Sequence, residues 1–326
     1  STGRMNWADQ KYAIGRGIAA ITASTSEETR FVRYALEHEL PVLLSRTSGS
    51  TMTMLKKGDL ENFEIYWPQN LFSVSSILNN FDDLIENNRR RIELLEEAAR
   101  LLYREWFVNF RYPGHEDVSL VDSGLGPIPQ DWEIRSFNEV ADFINGFAFK
   151  SSEHWLEEGL PIIKIKELKA GLGDDTPRYP GNDIDTKYFI DNGDVLFSWS
   201  AHLDAYVWAS GPGLLNQHLF VVKPYELSKL FVFHSLRGQM TEFRARAQGT
   251  TMKHIKRSAL GEVFLRVPPP GIRQQFERTV SPMLDLQLEL QSSNRLLTET
   301  RDLLLPRLVS GDLDISDLDL SLEAVS

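Results

Sequence analysis

The chain has 326 residues, of which 42% are hydrophobic and 25% are charged, and it carries a formal net charge of −11. This length suits about two domains that each bury a core. The sequence contains no cysteine, which excludes a disulfide framework and a thiolate metal site and fits a reducing cytoplasm. No apolar run approaches the length of a membrane span, so we expect no membrane contact.

The negative charge is unevenly distributed along the chain. The segment Val309–Ser326 contributes −5, whereas Arg237–Arg257 holds six basic residues against the single acid Glu242. A local positive field matters more than the total charge when a protein docks on a phosphate backbone. The composition therefore leaves nucleic-acid binding open.

Residues 1–70 precede the first long periodic segment. They contain an apolar run at Tyr12–Ile21, a shorter one at Val42–Leu44 and an alternating stretch at Phe63–Trp67 that is typical of a strand. We interpret this region as the C-terminal part of a first globular unit, because it matches the later part of a second unit in the repeat described below.

Residues 71–110 are predicted to form a long helix. Apolar residues recur in sevens and only Asn88 is polar among them, while the remaining positions are largely charged. The predicted seam residues are Leu78, Phe81, Ile85, Asn88, Ile92, Leu95 and Leu102. A helix with one apolar stripe and an otherwise charged, solvent-facing surface requires a partner helix to bury that stripe. An ordinary surface helix would show a similar pattern.

A turn-rich linker over residues 111–125 leads to a second globular unit over residues 126–270. Its sequence alternates short strand-like runs with helical patches, which is typical of an α/β unit. The predicted strands are Leu160–Ile165, Asp194–Trp199, Leu219–Val222 and Val263–Val267, and the predicted helical patches are Ser136–Phe143 and Ser228–Gln248.

Residues 271–309 are predicted to form a second long helix. Its seam consists of Met283, Leu290, Leu297 and Leu304, with Leu286, Ser293 and Thr300 at the companion position. A polar seam residue such as Asn88 or Ser293 can fix the register of a helix pair. Pro306 is predicted to break this helix near its end, and residues 310–326 are predicted to be an acidic extended tail.

An internal repeat connects the two halves of the chain. Gly49–Lys57 resembles Gly249–Arg257, and Leu60 and Pro68 align with Leu260 and Pro268 at the same offset of 200 residues. We therefore predict an α+β fold that duplicates an α/β domain followed by a long helix, with the two helices paired as an antiparallel coiled coil. By this offset the first unit lacks about 75 residues at its front, so we expect an N-terminally truncated chain.

The common catalytic patterns do not occur in the sequence. It has no phosphate-binding glycine loop followed by Lys-Ser or Lys-Thr, no dinucleotide-binding glycine fingerprint, and no histidine spacing typical of a metal enzyme. The acidic pairs Asp174–Asp175 and Asp183/Asp185 lie among turn-forming residues and are interpreted as solvated turns. We predict a binding or scaffold protein that is not an enzyme and holds no metal.

Several motifs resemble those of one family over essentially the whole chain. Each motif is weak alone, and their order and spacing give the signal. They are Leu102–Phe110, Gly126–Glu133, Asn145–Lys150, Gly193–Ser198, Gly249–Ile255 and Leu304–Leu313. Together they resemble the specificity subunit of type I restriction–modification enzymes.

That resemblance implies two target-recognition domains, each reading half of a split site in double-stranded DNA, held apart by the two helices. It also implies methyltransferase (modification) subunits and a motor/endonuclease (restriction) subunit as partners. S-adenosylmethionine, and ATP with Mg for cleavage, are expected on those partners, and no cofactor is expected in this chain. The alternative is a structural coiled-coil scaffold whose globular units bind protein partners.

Candidate DNA contacts lie in loops that follow apolar runs and in the basic stretch. Hydroxyl and basic side chains suit phosphate contacts and positioning on DNA, although a turn with a solvated basic face would have the same composition. The candidates are Lys150, Ser151, Ser198, Ser200, His202, Arg244, Arg246, Thr250, Thr251, Lys253, His254, Lys256 and Arg257. Trp199 is equally compatible with a place in the core.

Overall fold

The computed structural model describes residues 3–8, 10–45, 55–249 and 253–315. They form two compact units, one from the described residues of Ser1–Asn88 and Ser293–Ser326, the other from Arg89–Ser292. The boundary between the units falls inside both long helices. No helix among the described residues is long and apolar enough to cross a membrane.

The helices lie in both units and the strands in the second. The helices are α1 (Ser26–His38), α2 (Leu40–Ser45), α3 (Lys57–Glu61), α4 (Leu71–Tyr103), α5 (Phe137–Val140), α6 (Ser151–His154), α7 (Ile165–Ala170), α8 (Lys229–Gly238), α9 (Met240–Ala245), α10 (Ala259–Glu262) and α11 (Pro270–Val309). The strands are β1 (Leu120–Val121), β2 (Ile128–Pro129), β3 (Glu133–Ser136), β4 (Ala141–Asn145), β5 (Leu160–Ile163), β6 (Arg178–Tyr179), β7 (Phe189–Ile190), β8 (Val195–Ser198), β9 (Asp204–Val207), β10 (Gly213–Leu215), β11 (Leu219–Pro224) and β12 (Phe264–Val267). A π-helical turn, Arg104–Val108, continues α4.

The second unit contains two four-stranded sheets and two short ribbons. One sheet has the order β6-β5-β10-β7, the other has the order β4-β11-β8-β9, and the ribbons pair β1 with β2 and β3 with β12. Within the second sheet every neighbouring pair is antiparallel. Its side chains share a core with α8, α9 and the segments of α4 and α11 that belong to this unit, including Phe143, Phe197, Phe231 and Phe276.

The duplication predicted from the sequence is confirmed by the order of the helices. α2 and α9 have bounds that are 200 positions apart, and α1 and α8 end 200 positions apart. α3 and α4 correspond to α10 and α11, whose first residues lie 202 and 199 positions later. Buried apolar residues repeat with the helices, since Phe31 corresponds to Phe231 and Leu36 to Leu236. The two units therefore contain corresponding helices in the same order.

The two long helices are antiparallel in both units. In the first unit the Asn88 side-chain amide donates to Asn294 Oδ1 at 2.9 Å. Asp82, further toward the start of α4, accepts from Arg301, further toward the end of α11, at 2.6 Å. In the second unit the ring of Trp106 packs on that of Phe276, near the start of α11. The predicted antiparallel pairing is confirmed.

The predicted seam residues of α4 and α11 lie along these contacts. Leu78, Ile85, Asn88 and Leu290 are buried, and Phe81, Ile92, Leu95, Leu102, Met283, Leu297 and Leu304 are half-buried. The companion position of α11 differs from the prediction by one residue. Gln287 is buried, and Asn294 and Arg301 bond to α4, one position after Leu286, Ser293 and Thr300. In α11 the companion residue therefore lies four positions after each seam residue, at Gln287, Asn294 and Arg301, and not three.

Helix α11 is not broken at Pro306, contrary to the prediction, and it ends at the predicted residue. It continues to Val309, because Leu305 and Leu308 are buried in the first-unit core and hold its last turn in place. The helix then ends through Gly311, which has a φ of 82°, and the Leu313 amide donates to the carbonyl of Arg307 at 2.9 Å. Most of the predicted acidic tail, from residue 316 onward, lies outside the described residues.

The predicted strands of the second unit are confirmed as β5, β8, β11 and β12. Two other predictions were wrong. Helix α5 ends at Val140, and residues 141–145 form β4, because they pair with β11 in a sheet. Phe63–Trp67 forms no strand, because the described residues of the first unit contain no strand with which it could pair.

Candidate nucleic-acid interface

One edge of the sheet β4-β11-β8-β9 gathers loops from distant parts of the second unit. Asn145 at the end of β4 pairs with Phe220, and Leu219 at the start of β11 pairs with Ser198 at the end of β8. Ser198 also pairs with Asp204, the first residue of β9. The loops after β4, after β8 and before β11 therefore leave the sheet at the same edge, which we call the loop edge.

Residues 253–255 add a further segment to the loop edge. The Ala201 amide donates to the carbonyl of Lys253 at 2.7 Å, and the Ile255 amide donates to the carbonyl of Trp199 at 3.0 Å. His254 also exchanges two backbone hydrogen bonds with Gln248, of 2.8 and 2.9 Å. The two sequence stretches that supply separate candidates, around 198–202 and 253–257, are thus neighbours in space.

The backbone at the loop edge is closely fixed. A Cβ on Gly146 would lie 2.3 Å from the Asn216 carbonyl oxygen, so only glycine fits there. The Phe147 amide donates to the Leu215 carbonyl at 2.8 Å, which holds this loop against the end of β10. Ala201 has a φ of 55°, a conformation that costs energy for a residue with a Cβ and persists where the surroundings enforce it.

A concave pocket of about 360 Å³ opens at the loop edge. Its lining residues are Asn145, Trp199, Phe220, His254, Ile255, Lys256 and Arg257. The Trp199 indole N–H donates to Asn145 Oδ1 at 3.1 Å, which joins the loop after β8 to the end of β4. The Arg257 guanidinium lies 5.7 Å from the centre of the Phe220 ring. The pocket combines an aromatic floor with a rim of amide and cationic groups.

The cations near the loop edge differ in how much they are engaged by the protein itself. Lys253 and Lys256 are exposed. Arg257 is also exposed and lies 3.6 Å from Asp142. Arg244 donates to the Leu203 carbonyl at 3.1 Å, and Arg246 is half-buried between Glu242 at 2.8 Å and Glu262 at 3.8 Å. Arg246 therefore contributes less free positive charge than its position in the sequence indicated.

The structure corrects two of the proposed DNA contacts. Ser198 and Ser200 are 0% and 2% exposed, and the Ser198 hydroxyl donates to the Ser200 carbonyl at 3.2 Å. Their side chains therefore fix the loop and cannot meet a ligand. Ser200 Oγ also lies 3.3 Å from Nδ1 of His218.

The other candidate residues divide into three groups. His202 and His254 are half-buried at the loop edge. Lys150 and Ser151 are exposed at the start of α6, where the Lys150 ammonium is 3.3 Å from Glu153. Thr250 and Thr251 lie outside the described residues.

Sequence reasoning missed Asn145 as a candidate contact and His218 as a neighbour of Ser200 that supports the loop. Asn145 lies in the motif Asn145–Lys150, which served only as a family landmark. An amide followed directly by a glycine, Asn145–Gly146, was the available signal. His218 had no comparable signal, because its place beside Ser200 depends on strand pairing.

The opposite end of the same sheet has a structural ion cluster. Asp194 accepts hydrogen bonds from Lys223 at 3.0 Å and Lys229 at 2.9 Å. Burial acts to raise the pKa of Asp194, but these bonds outweigh it and the pKa is lowered. Among the described residues, no group of three or more His, Asp or Glu side chains is arranged to hold a metal ion.

A solved structure shares this fold of two long helices, each preceded by a copy of the same helices. A crystal structure of the S subunit of a type I restriction–modification system from M. genitalium aligns with a TM-score of 0.53, covering 86% of this chain and 72% of that chain at 18% identity. That likeness concerns the fold.

The family assignment comes from comparison of the sequence. The type I restriction modification DNA specificity domain matches residues 1–97 and 129–297. The chain belongs to this family, and the resemblance seen in its motifs is confirmed.

Two curated relatives are specificity subunits. The type I restriction enzyme MjaIX specificity subunit of Methanocaldococcus jannaschii is 26% identical over 289 residues, which is 83% of this chain and 66% of the relative. The type I restriction enzyme EcoBI specificity subunit of Escherichia coli is 28% identical over 219 residues, which is 65% of this chain and 46% of the relative. The chain thus spans less than two thirds of the length of either relative.

Proposed function

We propose that this chain recognises a DNA sequence for a type I restriction–modification complex, and that its second unit reads double-stranded DNA with the loop edge. The observation that carries the proposal is the convergence of four separate segments on one sheet edge. That edge presents an exposed amide, two half-buried histidines and exposed lysines around an aromatic pocket. Lysines suit phosphates, and amide and imidazole groups suit base edges. Membership of the DNA specificity domain family supports this role.

The long helices have a proposed role of their own, which is to set the unread gap between two DNA half-sites. Helix α4 has 33 residues and α11 has 40. At 1.5 Å per residue these are about 50 and 60 Å long, more than one turn of B-DNA. A stiff helix pair keeps such a spacing, which a flexible linker would not.

We further propose that catalysis belongs to partner subunits. In this proposal methyltransferase subunits bind S-adenosylmethionine and carry the methyl-transfer residues. A motor/endonuclease subunit binds ATP with Mg and cuts DNA. The chain described here would then select the sequence and hold the partners, and would neither methylate nor cut DNA by itself.

Selection from random duplex DNA followed by fluorescence polarisation tests the proposal. The full chain, alone and assembled with a methyltransferase partner, is expected to enrich a defined motif and to bind it in a salt-dependent manner. Failure of both forms to enrich any motif would refute DNA reading and would favour the protein-binding scaffold.

The cations give a second test of the same proposal. Lys253→Ala and Lys256→Ala should each weaken binding to all sequences alike, and each should reduce the slope of log K against log salt by about 0.9 for every phosphate that is no longer neutralised. Lys169→Ala is the matched control, because Lys169 is exposed on α7 and does not line the loop edge. An equal change in slope for the control would show that the effect is general electrostatics.

A further inference from the structure

The amide of Asn145 has a fixed orientation, and this follows from the chemistry of its neighbour. The Trp199 indole nitrogen is only a hydrogen-bond donor, and it lies 3.1 Å from the Asn145 side chain. The atom that it contacts must therefore be the amide oxygen. The Asn145 NH₂ group is left on the opposite side, at the exposed mouth of the pocket.

The supports of this pair are rigid. Asn145 is the last residue of β4 and pairs with Phe220 of β11. The next residue, Gly146, lies so close to the Asn216 backbone that no side chain fits there. Trp199 is held through its carbonyl by the Ile255 amide, and its ring packs 5.9 Å from the Phe220 ring. Turning the amide would place NH₂ against the indole N–H and would lose their hydrogen bond.

The remaining rim of the pocket is also rich in donors. Lys256 and Arg257 carry only donor hydrogens, and together with the Asn145 NH₂ group they face the same opening. These donors favour a ligand that presents hydrogen-bond acceptors. In the major groove guanine alone presents two acceptors, O6 and N7; thymine presents one acceptor, O4, beside a methyl group, adenine pairs an acceptor with a donor, and cytosine presents a donor.

From these observations we infer that Asn145 is a specificity-determining residue that reads a guanine, and that Trp199 is the positioning residue that turns the NH₂ group of this amide toward the opening. The inference deepens the proposed DNA reading and depends on it. The half-buried Trp199 ring favours a base over a phosphate as the partner of Asn145, since it offers apolar surface in the pocket. Lys256 at the rim is left to the adjoining phosphate backbone, and Arg257 to the second acceptor of the base.

The test compares the motifs selected from random duplex DNA by the full chain and its variants, assembled with the methyltransferase partner if the chain alone enriches none. The wild type is expected to select a guanine at one position. Asn145→Asp replaces the donor by acceptors and should abolish that guanine and favour cytosine, with all other positions unchanged. Trp199→Phe frees the amide to turn and should reduce discrimination of guanine over adenine by about 10-fold.

A measurement on modified DNA with the wild-type chain keeps the test valid if a variant folds poorly. Replacing that guanine by 7-deazaguanine removes the N7 acceptor and should weaken binding about 10-fold. Asn145→Ala should lose affinity for ordinary DNA and show no further loss with the modified base. Trp155→Phe is the matched control, because this exposed tryptophan lies outside the pocket and should leave the selected motif unchanged.

The possible failures are distinct. If the wild type selects a motif, but Asn145→Asp and Trp199→Phe leave every position unchanged or weaken all positions equally, the inference is wrong and DNA reading stands. The same holds if the base lost in Asn145→Asp is not guanine. If neither the chain nor its assembly selects any motif, the proposed function fails and this inference fails with it.

Discussion

Asp82 of α4 offers the sharpest test of how the first unit is held together. Its carboxylate accepts from the Tyr34 hydroxyl at 2.7 Å and from Arg301 at 2.6 Å, and Arg33 lies 3.4 Å away. One carboxylate therefore connects α1, α4 and α11. The Asp82 and Arg301 side chains are 22% and 18% exposed, so solvent screens them only in part.

These contacts also affect the ionisation of both partners. Burial raises the pKa of Tyr34, and the hydrogen bond to Asp82 raises it further. Burial acts to lower the pKa of Arg301, but its bonds to Asp82 and Asp302 outweigh this and the pKa is raised. Both partners thus depend on the Asp82 charge, although the Tyr34 hydroxyl also contacts Asn79 Oδ1 at 3.1 Å and Arg301 also donates to Asp302 at 2.7 Å.

Asp82→Ala should lower the free energy of unfolding by about 3 kcal/mol. The substitution leaves Arg301 partly buried without its main partner and removes the charged acceptor of the Tyr34 hydroxyl, and breaking such a pair costs about 3–5 kcal/mol when it is fully buried. Asp83→Ala is the matched control, because Asp83 is the adjacent acid and is exposed, and we expect a change below about 0.5 kcal/mol.

Equilibrium urea unfolding of the full chain measures both variants. A difference between Asp82→Ala and Asp83→Ala smaller than about 0.5 kcal/mol would refute the reasoning, because the carboxylate would then contribute no more than a surface charge. The double variant Asp82→Leu with Arg301→Leu should recover much of the loss, since apolar residues of similar volume often replace a buried ion pair without cost.

Three further predictions concern the core, the helix register and the spacing. Burial lowers the pKa of His234 to about 4, so the folded state disfavours its protonation, and stability should fall by about 3 kcal/mol as pH drops from about 6.5 to about 4. Urea unfolding of wild type and His234→Leu across this range checks it, and an equal pH dependence in the variant would contradict it. Replacing both Asn88 and Asn294 by Leu should raise the melting temperature and weaken register specificity, seen as mixed oligomers in size-exclusion chromatography with light scattering. A stable single species with an unchanged melting temperature would contradict a role of these two asparagines in fixing the helix register. One heptad added to both α4 and α11 should lengthen the unread gap in the methylated sequence by about three base pairs, at 1.5 Å per residue, without changing the bases read. A changed half-site with an unchanged gap would reverse the proposed division of roles.

The helical half of the fold was accessible from sequence because its rules are local. A seam that recurs in sevens depends only on the 3.6-residue helix turn, so Leu78, Ile85 and Leu290 were assigned to it without any knowledge of tertiary structure. The error of one position in the α11 companion seam has an equally physical origin. A companion residue three or four positions after each leucine leaves the leucines on one face of the helix. Asn294 is the companion residue, and Ser293 is not, because Asn294 accepts a hydrogen bond from Asn88 on the other helix.

Pro306 shows how burial overrides a local rule. Proline removes one backbone donor and strains the preceding turn, which predicts a break in the helix there. Leu308 and Val309 beyond it are 1% and 3% exposed, and their burial stabilises the final turn of α11. No local pattern contains that information.

The loop edge was the least predictable part because none of its contacts is local. Ser198 and Ser200 were reasonable DNA contacts by composition, since hydroxyls in a loop after a strand commonly meet ligands. Their burial follows from the pairing of this loop with Lys253 and Ile255, more than fifty positions later in the chain. The same pairing moves the proposed recognition role from the hydroxyls to the side chains that remain at the surface, chiefly Asn145. Sequence changes at Ser198 and Ser200 should therefore alter stability first, whereas a change at Asn145 leaves the supporting backbone bonds intact and acts on the group proposed to face DNA. A recognition domain built in this way can change its target through a few exposed positions, because the residues that shape the edge and the residues that read from it are different ones.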